Sequence, residues 1–185
     1  MDTDNDVHVV WKPLPGTSQE LALDTRCDHT LFYGTRGPGK TITQLMRFRR
    51  RVGLGYGAFW RGILIDREYK HLSDVVTQSQ RYFGDFNDGA HFLRGNSDYK
   101  WVWPTGEELL LRHLKHPSDY DDVHGHEYPY IAWNELTKHP TSELYDAMMS
   151  TNRSSFMPER DTPKHADGSY ATPDGKHLPP IPLEV

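Results

Sequence analysis

The residues with the clearest chemical meaning form a glycine-rich run near the start of the chain. They match the phosphate-binding pattern G-x-x-x-x-G-K-[ST] at every fixed position: Gly34, Thr35, Arg36, Gly37, Pro38, Gly39, Lys40 and Thr41. Glycines let successive backbone N–H groups turn toward a phosphate, and a following helix adds its positive N-terminal end. The lysine adds a charge near the β- and γ-phosphates, and the threonine hydroxyl is suited to bind Mg²⁺. The run therefore predicts ATP with Mg²⁺ as the ligand.

The residues on either side of this run support the same interpretation. Residues 29–33 have the pattern of a short buried strand. Downstream, Ile42, Leu45 and Met46 follow helical spacing, and Gly53 and Gly55 mark its end. A strand, a glycine loop and a helix in this order favour a phosphate site over an ordinary glycine-proline turn.

A second polar site is predicted at the end of the apolar run 130–133, where Asn134 and Glu135 follow directly. In open α/β sheets, ligands bind at the carboxyl ends of the strands. A phosphate-loop ATPase also needs a group that positions the attacking water and one that orients Mg²⁺. We expect Glu135 to take the first role and Asn134 the second, partly through water and without the charge of an aspartate. Capping of a following helix is the alternative role for this pair.

Composition sets broad limits on the kind of protein. With 185 residues, 36% of them hydrophobic, the chain fits one folded domain, and a net charge of −5 does not require a nucleic-acid or membrane partner. The single Cys27 excludes an intrachain disulfide, and no apolar stretch approaches the length of a membrane span. We expect a soluble, intracellular protein with no membrane partner.

The rest of the chain alternates apolar strands with amphipathic helices, which predicts an α/β fold with a mainly parallel sheet flanked by helices. The expected elements are a strand over 58–65 ending at Asp66, a helix over 72–83 stopped by Gly84, hairpin arms at 99–103 and 109–114, a strand within 128–136 and a helix over 141–149. Six of the 13 prolines fall between Pro158 and Pro182, so the tail is expected to be mostly loop. An apolar pattern returns only at 181–185.

Three segments together resemble the ATPase domain of a tailed-phage large terminase: residues 11–19, 31–41 and 125–136. The resemblance extends from about Trp11 to Arg153. It implies a P-loop NTPase of the ASCE (RecA-like) class, in which ATP hydrolysis powers the translocation of double-stranded DNA into procapsids. The implied partners are double-stranded DNA, a portal protein and a small terminase subunit, in a homo-oligomeric ring in the host cell cytoplasm.

The resemblance also implies roles for three further residues. Gln19 matches a glutamine that hydrogen-bonds the adenine edge, Arg36 matches an arginine that senses the γ-phosphate, and Arg153 matches a basic residue near the subunit boundary that acts in trans. A solvated loop glutamine, a surface arginine and a helix-end arginine are the respective alternatives. The expected catalytic set is therefore Glu135, Lys40, Arg36 and Arg153.

The expected domain organisation follows from the extent of the match. Residues 1–28 form an N-terminal segment with the adenine-binding motif, 29–153 the P-loop ATPase core, and 154–185 a Pro/Gly-rich loop with the start of a final strand. The family's coupling motif and RNase H-like nuclease domain are not found, which predicts a truncated last core strand, completed by another chain or not at all. A second chain carrying the nuclease domain is then a possible partner.

Two other functions stay open at this point, a nucleotide-binding module that is inactive alone and a helicase-type motor acting on single strands. A zinc site built from His113, His116, His124 and His126 is disfavoured because their spacing matches no zinc pattern. A cluster of arginines follows the phosphate loop, and we expect it to offset a helix dipole rather than to contact nucleic acid. Its members are Arg47, Arg49, Arg50 and Arg51.

Overall fold

A computed structural model describes residues 9–34, 37, 39–95 and 99–185. Within these residues the chain forms a five-stranded sheet in the order β2-β3-β4-β1-β5. The strands are β1 (Arg61–Asp66), β2 (His91–Arg94), β3 (Tyr99–Val102), β4 (Glu108–His113) and β5 (Tyr130–Asn134). β4, β1 and β5 are parallel, whereas β2 and β3 are antiparallel to their neighbours. The predicted α/β fold is confirmed.

Helices cover both faces of the parallel strands. They are α1 (Ser18–Asp24), α2 (Lys40–Arg49), α3 (Tyr69–Phe83), α4 (Glu143–Met149) and α5 (Pro158–Asp161). Alternate residues of β1 point to opposite faces: Leu64 packs in the core with α2 and α3, while Ile63 and Ile65 pack in the core with α4. Gly62 lets α2 lie directly on the sheet, because a Cβ there would be 2.7 Å from the Phe48 ring.

One sequence prediction about local structure is wrong and another is confirmed. Residues 29–33 form no buried strand, since Leu31 and Tyr33 are 77% and 86% exposed. Gly84 is the C-cap of α3, which ends at Phe83, so the predicted end of this helix is confirmed. Gly84 keeps right-handed helical geometry and starts a 3₁₀ turn, and the left-handed residue that ends this turn is Asn87.

The last residues of the chain lie beside β5. The Ile131 N–H donates to the Glu184 carbonyl, the Glu184 N–H to the Pro129 carbonyl, and the Thr30 N–H to the Val185 carbonyl, all at 2.7 to 2.8 Å. The final segment therefore lies between β5 and the residues that lead into the phosphate loop. Elsewhere the tail after Arg153 is mostly loop, as predicted.

The arginines after the phosphate loop bind carboxylates of the chain itself. Arg47, Arg50 and Arg51 all bind Glu184, and Arg49 binds Asp88. Their charges are thus used in holding other segments against α2, a role that neither sequence interpretation included.

Among the described residues, no helix has both the length and the apolar character needed to cross a bilayer.

Candidate functional site

The phosphate-loop residues that the structure describes lead directly into α2. Gly39 is the residue before the helix and has a left-handed backbone, with φ of 73°. A Cβ at this position would lie 2.1 Å from Nε2 of Gln19, so glycine is required both for the conformation and for the close approach. Gly34 and Gly37 are also described, whereas the predicted site residues Thr35, Arg36 and Pro38 lie outside the described residues.

Lys40, the first residue of α2, turns its side chain back to the loop. Its Nζ donates to the Gly34 carbonyl at 2.9 Å. The ammonium group thus lies at the mouth of the loop, which is where a lysine must be to contact phosphates. α2 also places its N-terminal N–H groups at this point, an arrangement that attracts anions.

Thr41 and Asn134 meet although they are 93 positions apart in the chain. The Thr41 Oγ1 donates to the Asn134 Oδ1 at 3.2 Å. The Asn134 Nδ2 donates in turn to Oδ2 of Asp66 at 2.6 Å. Asp66 is a further component of the site, and sequence reasoning assigned it no role. It ends β1, and the parallel register places it opposite Asn134.

Glu135 follows β5 in an unusual backbone conformation. Its φ of 56° and ψ of 46° are left-handed, and its side chain is exposed. A cavity of about 360 Å³ is lined by Glu135 together with Gly34, Lys40 and Asn134. The predicted catalytic carboxylate and the predicted phosphate-binding lysine therefore border the same space.

The oxygen atoms of Thr41 and Asn134 fit Mg²⁺, which prefers hard oxygen ligands and keeps several of its waters. They would hold the ion through a hydroxyl and an amide oxygen. No group of three or more His, Cys, Asp or Glu side chains in the described part of the chain is arranged to hold a metal ion.

Gln19 is buried against the phosphate loop. Its Oε1 accepts from the Leu14 N–H at 3.1 Å, and the Thr17 hydroxyl caps the helix on which it lies. Its amide nitrogen faces Gly39. The structure thus brings Gln19 to the loop and does not support a solvated position.

Arg153 is far from the other predicted residues. It lies just after Thr151, whose carbonyl accepts from the Tyr128 N–H at the amino end of β5, while Asn134 ends that strand. At the usual rise, residues 128 and 134 are about 20 Å apart. The Arg153 side chain is 55% exposed, with Glu127 at 3.9 Å. Arg153 therefore does not reach the site of its own chain.

Searches of protein-family models and of curated proteins find no match. Among solved structures, the chain is similar to the large terminase ATPase domain of Thermus phage P74-26 and to a mutant of that domain. Both have a TM-score of 0.52 at 12% identity, and the alignments cover 76% of this chain. They cover 63% of the mutant and 62% of the other domain, so this chain spans less than two thirds of either. The chain has the fold of these P-loop domains.

Proposed function

We propose that the chain is an ATP-hydrolysing motor domain of the phage DNA-packaging type, which uses ATP to drive double-stranded DNA into procapsids. The main support is geometric. Lys40, Asn134 and Glu135 border one cavity, and Thr41 is hydrogen-bonded to Asn134. This is the pairing of a phosphate loop with a polar strand end that ATP hydrolysis requires.

Each residue has a role that its chemistry suits. Lys40 exchanges its contact with the Gly34 carbonyl for the β- and γ-phosphates, and the N–H groups at the start of α2 face the phosphate chain. Glu135 orients the attacking water or accepts its proton. Bound Mg²⁺ supplies positive charge next to the phosphates. Gln19 contacts the adenine edge and Arg36 the γ-phosphate.

The partners of this proposal are double-stranded DNA, a portal protein, a small terminase subunit and further copies of the chain in a ring. A second chain with a nuclease domain is part of the same proposal. A nucleotide-binding module that is inactive alone is the second candidate, because Asn134 brings no charge to the metal site.

The first prediction separates these functions by mutation. We expect Lys40→Ala to weaken ATP binding at least tenfold, since a charge–phosphate contact is lost. We expect Glu135→Gln to keep ATP affinity but to slow hydrolysis by about 10²- to 10⁴-fold, the usual contribution of a general base. The measurements are nucleotide affinity and phosphate release with duplex DNA, single-stranded DNA and no DNA.

Glu143→Gln is the matched control, because Glu143 is an exposed glutamate at the start of α4. Unchanged ATP affinity in Lys40→Ala would contradict both candidates. ATP binding without hydrolysis in any DNA condition would favour the module, and stimulation by single strands alone would favour a helicase-type motor.

A further inference from the structure

Asp66 is a buried carboxylate, and both of its oxygen atoms accept hydrogen bonds. Asp66 has no exposed surface. Its Oδ1 accepts from the Glu68 N–H at 2.8 Å, and its Oδ2 accepts from the Asn134 Nδ2 at 2.6 Å. An unpaired buried carboxylate is strongly destabilising. These two bonds, together with the His71 Nδ1 at 3.9 Å from Oδ1, offset the burial of Asp66.

The bond from Asn134 determines which way the amide faces. An ionised carboxylate can only accept, so the Asn134 nitrogen must point to Asp66 and its oxygen to Thr41. The reversed amide would place two acceptors against each other at 2.6 Å and would turn its NH₂ group toward the Thr41 hydroxyl. Asn134 therefore accepts a hydrogen bond from the Thr41 hydroxyl, as an aspartate at this position would.

We propose that Asp66 is a positioning residue for the Mg²⁺ site: acting through Asn134, it fixes the amide oxygen toward Thr41 and supplies the negative charge that Asn134 lacks. This inference rests on the proposed function, because it assumes that ATP and Mg²⁺ bind at this loop. Groups that hold a metal's immediate partners commonly change metal affinity or activity by about 10- to 100-fold. The Asp66 carboxylate is itself fully buried, so its charge is weakly screened by solvent.

The alternative is a purely structural role, since the Glu68 N–H bond could serve only to shape the turn before α3. The two roles predict different effects of exchanging charges. In Asp66→Asn, the single amide oxygen can accept from Glu68 or from Asn134 but not from both. In the double variant Asp66→Asn/Asn134→Asp, residue 66 can accept from Glu68 and donate to the new carboxylate, so both hydrogen bonds are kept.

The test measures the dissociation constant of mant-ATP with Mg²⁺ and with EDTA. The Mg²⁺ effect is the dissociation constant in EDTA divided by the dissociation constant with Mg²⁺. We expect Asp66→Asn to lower this ratio about 10- to 100-fold, with little change in the dissociation constant measured in EDTA. We expect the double variant to return it to within about threefold of wild type, or above, because the charge then lies directly beside Thr41.

Glu107→Gln is the matched control. Glu107 is also a fully buried carboxylate, bound to the Gly53 N–H and the Thr105 hydroxyl and not among the residues that line the site. We expect this variant to lose thermal stability and to keep the Mg²⁺ ratio of wild type.

Two outcomes would overturn the inference: an Asp66→Asn ratio equal to that of Glu107→Gln, or a double variant whose ratio stays more than threefold below wild type. If Asp66→Asn does not fold, the double variant decides alone by the same limit. Failure of the proposed function is recognised separately, because wild type itself would then bind no mant-ATP.

Discussion

At the scale of single residues, the catalytic candidate Glu135 has a backbone conformation that is unfavourable for a glutamate. Glu135 and Asn87 are the two residues other than glycine with positive φ in the described part of the chain. Asparagine tolerates this conformation through its short polar side chain, whereas glutamate does not. The left-handed turn directs Glu135 away from the strand and into the cavity shared with Lys40. A strained residue at this point suggests that function, not stability, selects the glutamate.

We therefore predict that Glu135→Gly stabilises the fold while eliminating turnover. Glycine adopts positive φ without a steric penalty, so the free energy of unfolding should rise by about 1 kcal/mol. Urea denaturation and phosphate release measure the two effects. Asn87→Gly, at the other positive-φ position, should gain less stability and leave hydrolysis unchanged. An equal or smaller gain at position 135 would show that Glu135 is not strained.

At the scale of elements, one buried carboxylate joins the last segment of the chain to the helix of the phosphate loop. Glu184 is 3% exposed and binds Arg47, Arg50 and Arg51. Arg47 also donates to the Ala22 carbonyl and the Thr30 hydroxyl. Burial by itself raises the pKa of Glu184, but the hydrogen bond from Arg47 and the charges of the three arginines outweigh it and leave the pKa below its ordinary value. α1, α2 and the final segment are thus held at one point.

We predict that Glu184→Ala lowers the free energy of unfolding by about 3–5 kcal/mol, because three arginines then lose a buried partner. The stabilising effect of Glu184 is complete above the unfolded pKa of about 4.5 and is lost as the pH falls through the lowered folded pKa. Urea denaturation at pH 7 and at pH 3 to 4 measures both statements. Exposed Glu159→Gln is the control. A stability advantage of wild type over Glu184→Ala that stays constant down to pH 3 would contradict the pKa assignment.

What the sequence predicts best is what local residues determine. The start of α2 and the polar end of β5 depend on patterns within about ten residues, and the structure agrees with both. The prediction for residues 29–33 is wrong because an apolar pattern does not show what covers it. The Thr30 N–H bonds to Val185, more than 150 positions away, but Leu31 and Tyr33 are left exposed. The sequence pattern marks Asp66 only as the end of a strand, because its contact with Asn134 arises from the order of strands in the sheet.

At the scale of the whole molecule, the cavity and Arg153 lie near opposite ends of β5. The cavity lies at the carboxyl end, and Arg153 lies near the amino end with most of its side chain exposed. In a chain with this arrangement, Arg153 cannot contact a nucleotide bound in the same chain. Only contact between copies could bring the two together, which agrees with the proposed ring.

We predict that Arg153→Ala leaves ATP affinity unchanged but slows hydrolysis by about 10³- to 10⁵-fold in the DNA-stimulated assembly, the range known for arginine fingers. Each Arg153→Ala copy keeps Glu135 in its own site, and each Glu135→Gln copy keeps Arg153. Mixing the two inactive variants should therefore restore turnover at the sites where they meet, as measured by phosphate release against mixing ratio. Arg160→Ala, which removes another exposed arginine, is the control. A mixture no more active than the sum of its two components would mean that Arg153 does not act on a neighbouring site.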